Sequence, residues 1–189
     1  MLLRFGLAAL ALMVAGCQQE AAPDSAETQG PQLDAPAPAS EPSRVFAPQN
    51  EAARAPGQLT VAMTTRLPDA GDAAGEITEV LTLTGANGLV IEAAISGAVS
   101  PATQVQGQTL RALLDLPVEE PRTLVYRVTR ETKPEGVAQG LCGAEETGYI
   151  VLWEPSVPGE ADLKMLGVTG GAPGAAGARA CPMLHYRRT

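Results

Sequence analysis

The chain has 189 residues, of which 45% are hydrophobic but only two are Phe, one Trp and three Tyr, so its core has to be built from Val, Leu, Ile and Ala. The formal net charge of −8 opposes binding to phosphate backbones, which attract Lys/Arg surfaces, and excludes nucleic acid as a partner. This length and composition support one modest folded domain.

In chain order, Arg4 supplies one positive charge and Phe5 to Met13 form an apolar run interrupted only by Gly6. Val14, Ala15 and Gly16 then narrow toward the small side chains that a signal peptidase needs. About 10 apolar residues rise only about 15 Å as a helix, half of a roughly 30 Å hydrocarbon core. Residues 1–16 therefore read as a cleaved export signal rather than a permanent span.

Val14-Ala15-Gly16-Cys17 resembles the lipobox of bacterial lipoprotein precursors, which runs aliphatic, small, small, Cys, and it matches at all four positions. The resemblance implies that the Cys17 thiol is joined to a diacylglycerol, that the peptide bond before it is cut, and that the new amino group is acylated. Such acyl chains contribute about 0.8 kcal/mol per buried methylene, so the lipid membrane becomes a partner through acylated Cys17. Gln18 stands where an Asp would favour inner-membrane retention, which implies the periplasmic face of the outer membrane. Loss of Arg4 with the signal takes the formal charge to −9.

Residues 17–57 are rich in Pro, Ala, Gln, Glu and Ser, as in Asp34-Ala35-Pro36-Ala37-Pro38-Ala39. Too little bulky apolar surface is present to offset the entropy of ordering them, and the repeated prolines block helix and sheet alike, so a disordered tether is expected. About 40 such residues reach roughly 35 Å as a flexible coil. Val45-Phe46 reads as an incidental apolar pair within that tether.

After Gly57 short apolar runs alternate with Gly, Pro, Asn and Asp, the pattern of strands and turns. Leu59–Thr65 is the first predicted strand. Ile77–Thr84 and Leu89–Ser96 flank Gly85-Ala86-Asn87-Gly88, where Asn-Gly suits the positive backbone angles of a tight hairpin. Thr109–Leu116 and Thr123–Glu131 are expected to form a second hairpin around Pro117-Val118-Glu119-Glu120-Pro121; in the second run Leu124, Tyr126 and Val128 alternate with Val125, Arg127 and Thr129. Tyr149–Glu154, Asp162–Val168 and Met183–Arg187 complete the set. The fold class is mainly β: an antiparallel β-sandwich or small β-barrel of about 7–8 strands over residues 58–189. Arg187-Arg188 would suit protection of an exposed edge strand.

Cys142 and Cys181 are an even pair once Cys17 carries lipid, and in an oxidising compartment they are expected to form a disulfide. A loop of about 40 residues closed in this way gains on the order of 4 kcal/mol by the chain-entropy estimate. A metal or redox site is disfavoured, because neither cysteine belongs to a Cys-x-x-Cys and His185 is the sole histidine.

The remaining candidates for chemistry read as structural. His185 lacks a motif that names a partner nucleophile, and with Arg187 and Arg188 it reads as a solvated terminal strand. Gly170 to Gly177 lacks the Gly-Lys-Ser/Thr ending of a phosphate loop, and Pro173 removes an amide donor, so a surface connection is expected. Glu119-Glu120 and Glu145-Glu146 are expected in solvated loops, and Trp153 as a core anchor. No catalytic residue, cofactor or metal is expected. The function implied is a membrane-anchored envelope lipoprotein that binds an envelope protein or small ligand, or provides structural attachment; the competing class is an envelope hydrolase using paired carboxylates about 5 to 9 Å apart. Small β-barrel lipoproteins that inhibit lysozyme share the expected architecture only, since Ser96-Gly97 is too common a dipeptide to carry their function across.

Overall fold

The alternation after Gly57 is realised as strands in a computed structural model that describes residues 41–67, 78–137, 139–155 and 161–189. The elements are β1 (Arg44–Pro48), α1 (Glu51–Arg54), β2 (Leu59–Arg66), β3 (Thr78–Gly85), β4 (Val90–Val99), β5 (Gln104–Val105), β6 (Gln108–Thr109), α2 (Leu110–Leu113), β7 (Thr123–Thr132), β8 (Tyr149–Trp153), β9 (Asp162–Thr169), β10 (Arg179–Ala180) and β11 (Leu184–Arg188). The main sheet runs β10-β9-β11-β1-β2-β3-β4-β7-β8, with the two-residue β10 paired only to the end of β9, and β8 pairs again with β9. The result is a closed antiparallel barrel of eight strands rather than a sandwich. The expected signal and lipobox, positions 1–17, lie outside the described residues, as do residues 18–40 of the expected tether.

Period-2 alternation fills the barrel. Phe46, Leu81, Leu83, Ile91, Tyr126, Ile150, Met165 and Tyr186 all point inward and are at most 1% exposed. One end of the lumen is closed by α1, which buries Ala53, and by Leu141. Asn50 caps α1: its Oδ1 accepts from Ala53 N at 3.0 Å and from His185 N at 3.2 Å, while its Nδ2 donates to Met183 O at 2.8 Å. Tyr186 OH donates to Ala53 O at 3.3 Å. At this end a void of about 10 Å³ lined by Pro56, Leu141 and Tyr186 is room for about one water.

A second core lies on the outside of the wall. Residues 100–122 cross the outer faces of β7, β8 and β9 and bury Val105, Leu110, Leu114 and Leu116 against Val125, Val151, Trp153, Leu166 and Val168. Strand β8 is thus covered on both faces, with Ile150 and Leu152 inward and Val151 and Trp153 outward. This explains why Ile150-Val151-Leu152-Trp153 is continuously apolar where a half-buried strand would alternate.

Three expectations need correction. The folded region starts before residue 58: Phe46, read as part of an incidental pair in a 17–57 tether, is 1% exposed in the barrel, and β1 pairs with both β2 and β11. Pro42 and Pro48 flank only a few strand-forming residues there, so the support for β1 comes from its distant neighbours and not from its own propensity. Thr109–Leu116 is not a strand of a second hairpin. Thr109 Oγ1 instead accepts from Ala112 N at 3.3 Å as an N-cap, and Leu110 and Leu114 share one buried face at helical spacing. The place assigned to that run in an eight-strand set belongs to β1. Finally, β11 lies between β9 and β1, so Arg187-Arg188 guards no free edge.

The first hairpin is present with a different turn. Gly88 N donates to Gly85 O at 2.9 Å and Gly88 alone takes a positive φ of 87°, while Asn87 Oδ1 accepts from Leu89 N at 2.9 Å. This is a three-residue connection with glycine at the left-handed position rather than a two-residue one.

Phe46→Ala is expected to lower stability by about 3–5 kcal/mol in urea unfolding, whereas Val118→Ala, at a position 80% exposed, changes it by less than about 0.5 kcal/mol. Equal midpoints for the two would remove β1 from the folded core.

Candidate functional site

The end of the barrel opposite α1 is polar inside. Period 2 carries Arg44 inward with Phe46 on β1, Glu79 with Leu81 on β3, and Glu154 with Ile150 and Leu152 just past β8. Two pairs join strands that are not neighbours. Arg44 Nη1 donates to both oxygens of Glu154 at 2.6 and 2.8 Å, linking β1 to the end of β8. Tyr126 OH donates to Glu79 Oε1 at 2.6 Å, linking β7 to β3. Burial first, and then the bond to the Glu79 carboxylate, push the Tyr126 phenol well above its ordinary range, so it remains a proton donor. The Arg44 and Glu154 side chains are only 18% and 26% exposed, which places this pair between a screened surface bridge and a fully buried one.

Two recesses open beside these pairs and share Glu154. One, of about 220 Å³, is lined by Met63, Glu120, Arg122, Leu124, Leu152, Trp153 and Glu154. The other, of about 160 Å³, is lined by Arg44, Phe46, Glu154, Pro155, Ala161, Asp162 and Arg188. The chain entering β1 also passes here, since Glu41 N donates to Met63 O at 3.2 Å. The mouth is therefore the end at which residues 41–43 lead into β1.

Cys142 and Cys181 are joined as a disulfide, with Cα atoms 5.2 Å apart. The bridge lies against Gly167 of β9, where an added Cβ would sit 2.5 Å from Cys142 Sγ. Glu131 steadies the same loop by accepting from Leu141 N at 2.7 Å and Thr147 N at 3.2 Å. This assembly sits at the closed end and leaves the mouth free.

The other residues singled out in the sequence separate. His185 faces outward opposite Lys164, with Nε2 3.4 Å from Asp162 Oδ1 but not aligned for a hydrogen bond. Arg187 Nε donates to the same Asp162 oxygen at 3.1 Å. Partial burial opposes the Asp162 charge, but Arg187 and His185 outweigh it and hold the carboxyl below its usual range. Arg188 points the other way, into the mouth. The basic cluster is thus divided between two faces of one strand.

Glu145 is exposed, as expected, but it is paired: Arg179 Nη2 and Thr169 Oγ1 donate to its Oε2 at 2.6 and 2.7 Å and hold its carboxyl below the usual range. Glu120 departs from the solvated loop expected of it, because its Oε2 accepts from Trp153 Nε1 at 2.7 Å. Trp153 is 7% exposed in the outer core and Lys164 Nζ lies 5.5 Å from its ring centre. Gly170 to Gly177 is a succession of bends and turns. Among the described residues no three His, Cys, Asp or Glu side chains cluster in a way that would hold a metal ion.

Sequence reasoning missed Arg44, Glu79, Tyr126 and Glu154 as a set. A signal was present for two of them, since Glu79 and Glu154 fall on the apolar face of their strands and a carboxylate in that register has to find a partner or an opening. Arg44 carried no such signal, because its strand was not recognised. No family model, curated protein or solved structure matches the chain.

Tyr126→Phe is expected to lower stability by about 2 kcal/mol, the scale of a hydrogen bond to a charged group, in equilibrium urea unfolding; an unchanged midpoint would show that the Glu79 bond contributes nothing. Asp162 has a depressed carboxyl, so its contribution is complete above the ordinary carboxylate pKa of about 3.9 and is lost as pH falls through the lowered value. Urea midpoints of wild type and Asp162→Asn should accordingly differ at pH 7 and converge on acidification; a gap that widens in acid would reverse the sign.

Proposed function

We propose that this chain is a lipid-anchored envelope protein that acts by binding at the mouth of its barrel, with residues 17–40 serving as the tether. The lipobox match at Val14 to Cys17 supports the anchor, and a disulfide between Cys142 and Cys181 accords with an oxidising compartment outside the cytosol. On this reading the protein sits on the periplasmic face of the outer membrane, and its partner is an envelope protein or a small ligand.

One observation carries the binding role: the lumen is packed with side chains at one end and, at the other, presents cross-strand polar pairs beside recesses of about 220 and 160 Å³. A binding site needs apolar surface beside a few convergent polar groups. Met63, Leu124 and Leu152 supply the first here, and Glu120, Arg122 and Glu154 the second. The described chain enters β1 at the same end, where Glu41 N donates to Met63 O at 3.2 Å, and 25 residues run from Cys17 to Glu41. A mouth so tethered meets ligands that reside in or near the membrane.

Two measurements test this. Growth with a palmitate analogue should label the wild-type protein and leave Cys17→Ala unlabelled; label on the variant, or none on wild type, would refute the anchor. A photo-crosslinking residue in place of Leu124 at the mouth should capture a discrete partner in intact envelopes, while the same residue in place of Ala144 beside the disulfide should not; equal capture at both would place the binding surface elsewhere.

A further inference from the structure

The hydrogen-bonding groups of the mouth specify a ligand class, an inference that rests on the binding role proposed above. Each carboxylate lining the two recesses already has a donor: Glu154 takes Arg44, Glu120 takes Trp153 Nε1, and Asp162 takes Arg187. Two lining guanidiniums do not: Arg122 and Arg188 make no side-chain hydrogen bond or ion pair with any described residue. Both are exposed to solvent, so the groups the mouth has free for a ligand are donors, and a planar guanidinium is suited to carboxylate or phosphate oxygens.

The larger recess adds an apolar requirement. Beside Arg122 lie Met63, Leu124 and Leu152, and Leu124 is left 37% exposed. The backbone that presents Arg122 is held by Arg111, whose guanidinium donates to Pro117 O and, at 3.0 Å, to Glu120 O. At about 220 Å³ the recess is smaller than the roughly 300–1,000 Å³ of sites for drug-sized ligands. A bilayer surface fits less well, because it would have to meet the lining carboxylates Glu120 and Glu154 as well, whereas a small molecule has to reach only Arg122.

We infer that the Met63–Arg122–Leu124 recess binds a monocarboxylate on a short apolar stem, with Arg122 holding the carboxylate and Met63, Leu124 and Leu152 receiving the stem.

Trp153 lines the recess and is the sole tryptophan of the chain, so its emission reports occupancy directly. Titration of the full chain with octanoate should give a saturable change in that emission. Arg122→Gln should weaken octanoate by about tenfold or more, equivalent to about 1.4 kcal/mol for one charge-assisted hydrogen bond, and Arg122→Lys should restore part of the loss. Octanol should bind more weakly and be indifferent to Arg122→Gln. The absence of a saturable response to octanoate would overturn the inference, as would equal octanoate affinity in Arg122→Gln with an unchanged thermal midpoint, or Arg122-dependent binding seen only with vesicles of anionic lipid. If octanoate fails while crosslinking from position 124 still captures its partner, the ligand class falls and the mouth reading stands; failure of both removes both.

Discussion

Strand β9 has a neighbour on each side, β8 and β11, and this double pairing closes the sheet. An open sheet of eight strands would leave two rows of unpaired amides and carbonyls, and closure removes both. It also creates a lumen, so that inward residues of strands remote in sequence become neighbours. The requirement acts back on individual residues: β11 has to pair with β1, which recruits Arg44–Pro48 into the domain despite its proline-rich surroundings. On β9 itself, Gly167 has to lack a side chain because the disulfide lies against it.

The lumen is asymmetric along its axis, and the asymmetry is physical before it is functional. At the closed end Ala53, Pro56, Leu141 and Tyr186 meet with room for about one water. At the other, charged groups enter inward positions, which costs free energy in a dry lumen and is tolerated beside solvent when partners are supplied. Arg44 and Tyr126 are those partners for Glu154 and Glu79. Because each pair joins non-adjacent strands, the same contacts that satisfy the charges also brace the mouth.

The outer core solves a different problem. Strands β8 and β9 are apolar on both faces, so the barrel alone would leave Val151, Trp153, Leu166 and Val168 in water. The crossing of residues 100–122, with its single turn α2, covers them. It then turns at Pro117–Pro121 and delivers Glu120 to Trp153 and Arg122 to the recess. Covering an apolar wall and furnishing the mouth are thus tasks of one excursion, and the disulfide, at the opposite end of β9, interferes with neither.

The sequence by itself determined what depends on short windows and on composition. The β class, the hairpin around Asn87-Gly88, the strands at 149–154 and 162–168, and the pairing of Cys142 with Cys181 were all legible. Period 2 was visible in β7, yet Leu110, Leu113 and Leu114 were read as strand although their spacing and the Thr109 cap describe a helical turn. Only the tertiary structure decided that Phe46 is core, that the sheet closes, and that the mouth holds Arg44, Glu79, Tyr126, Glu154 and Arg122 together. Arg44 and Glu154 are 110 residues apart and Glu79 and Tyr126 are 47 apart. Periodicity states which face of a strand a residue occupies; which distant strand it faces is set by barrel closure, a constraint on the whole chain that no local window contains.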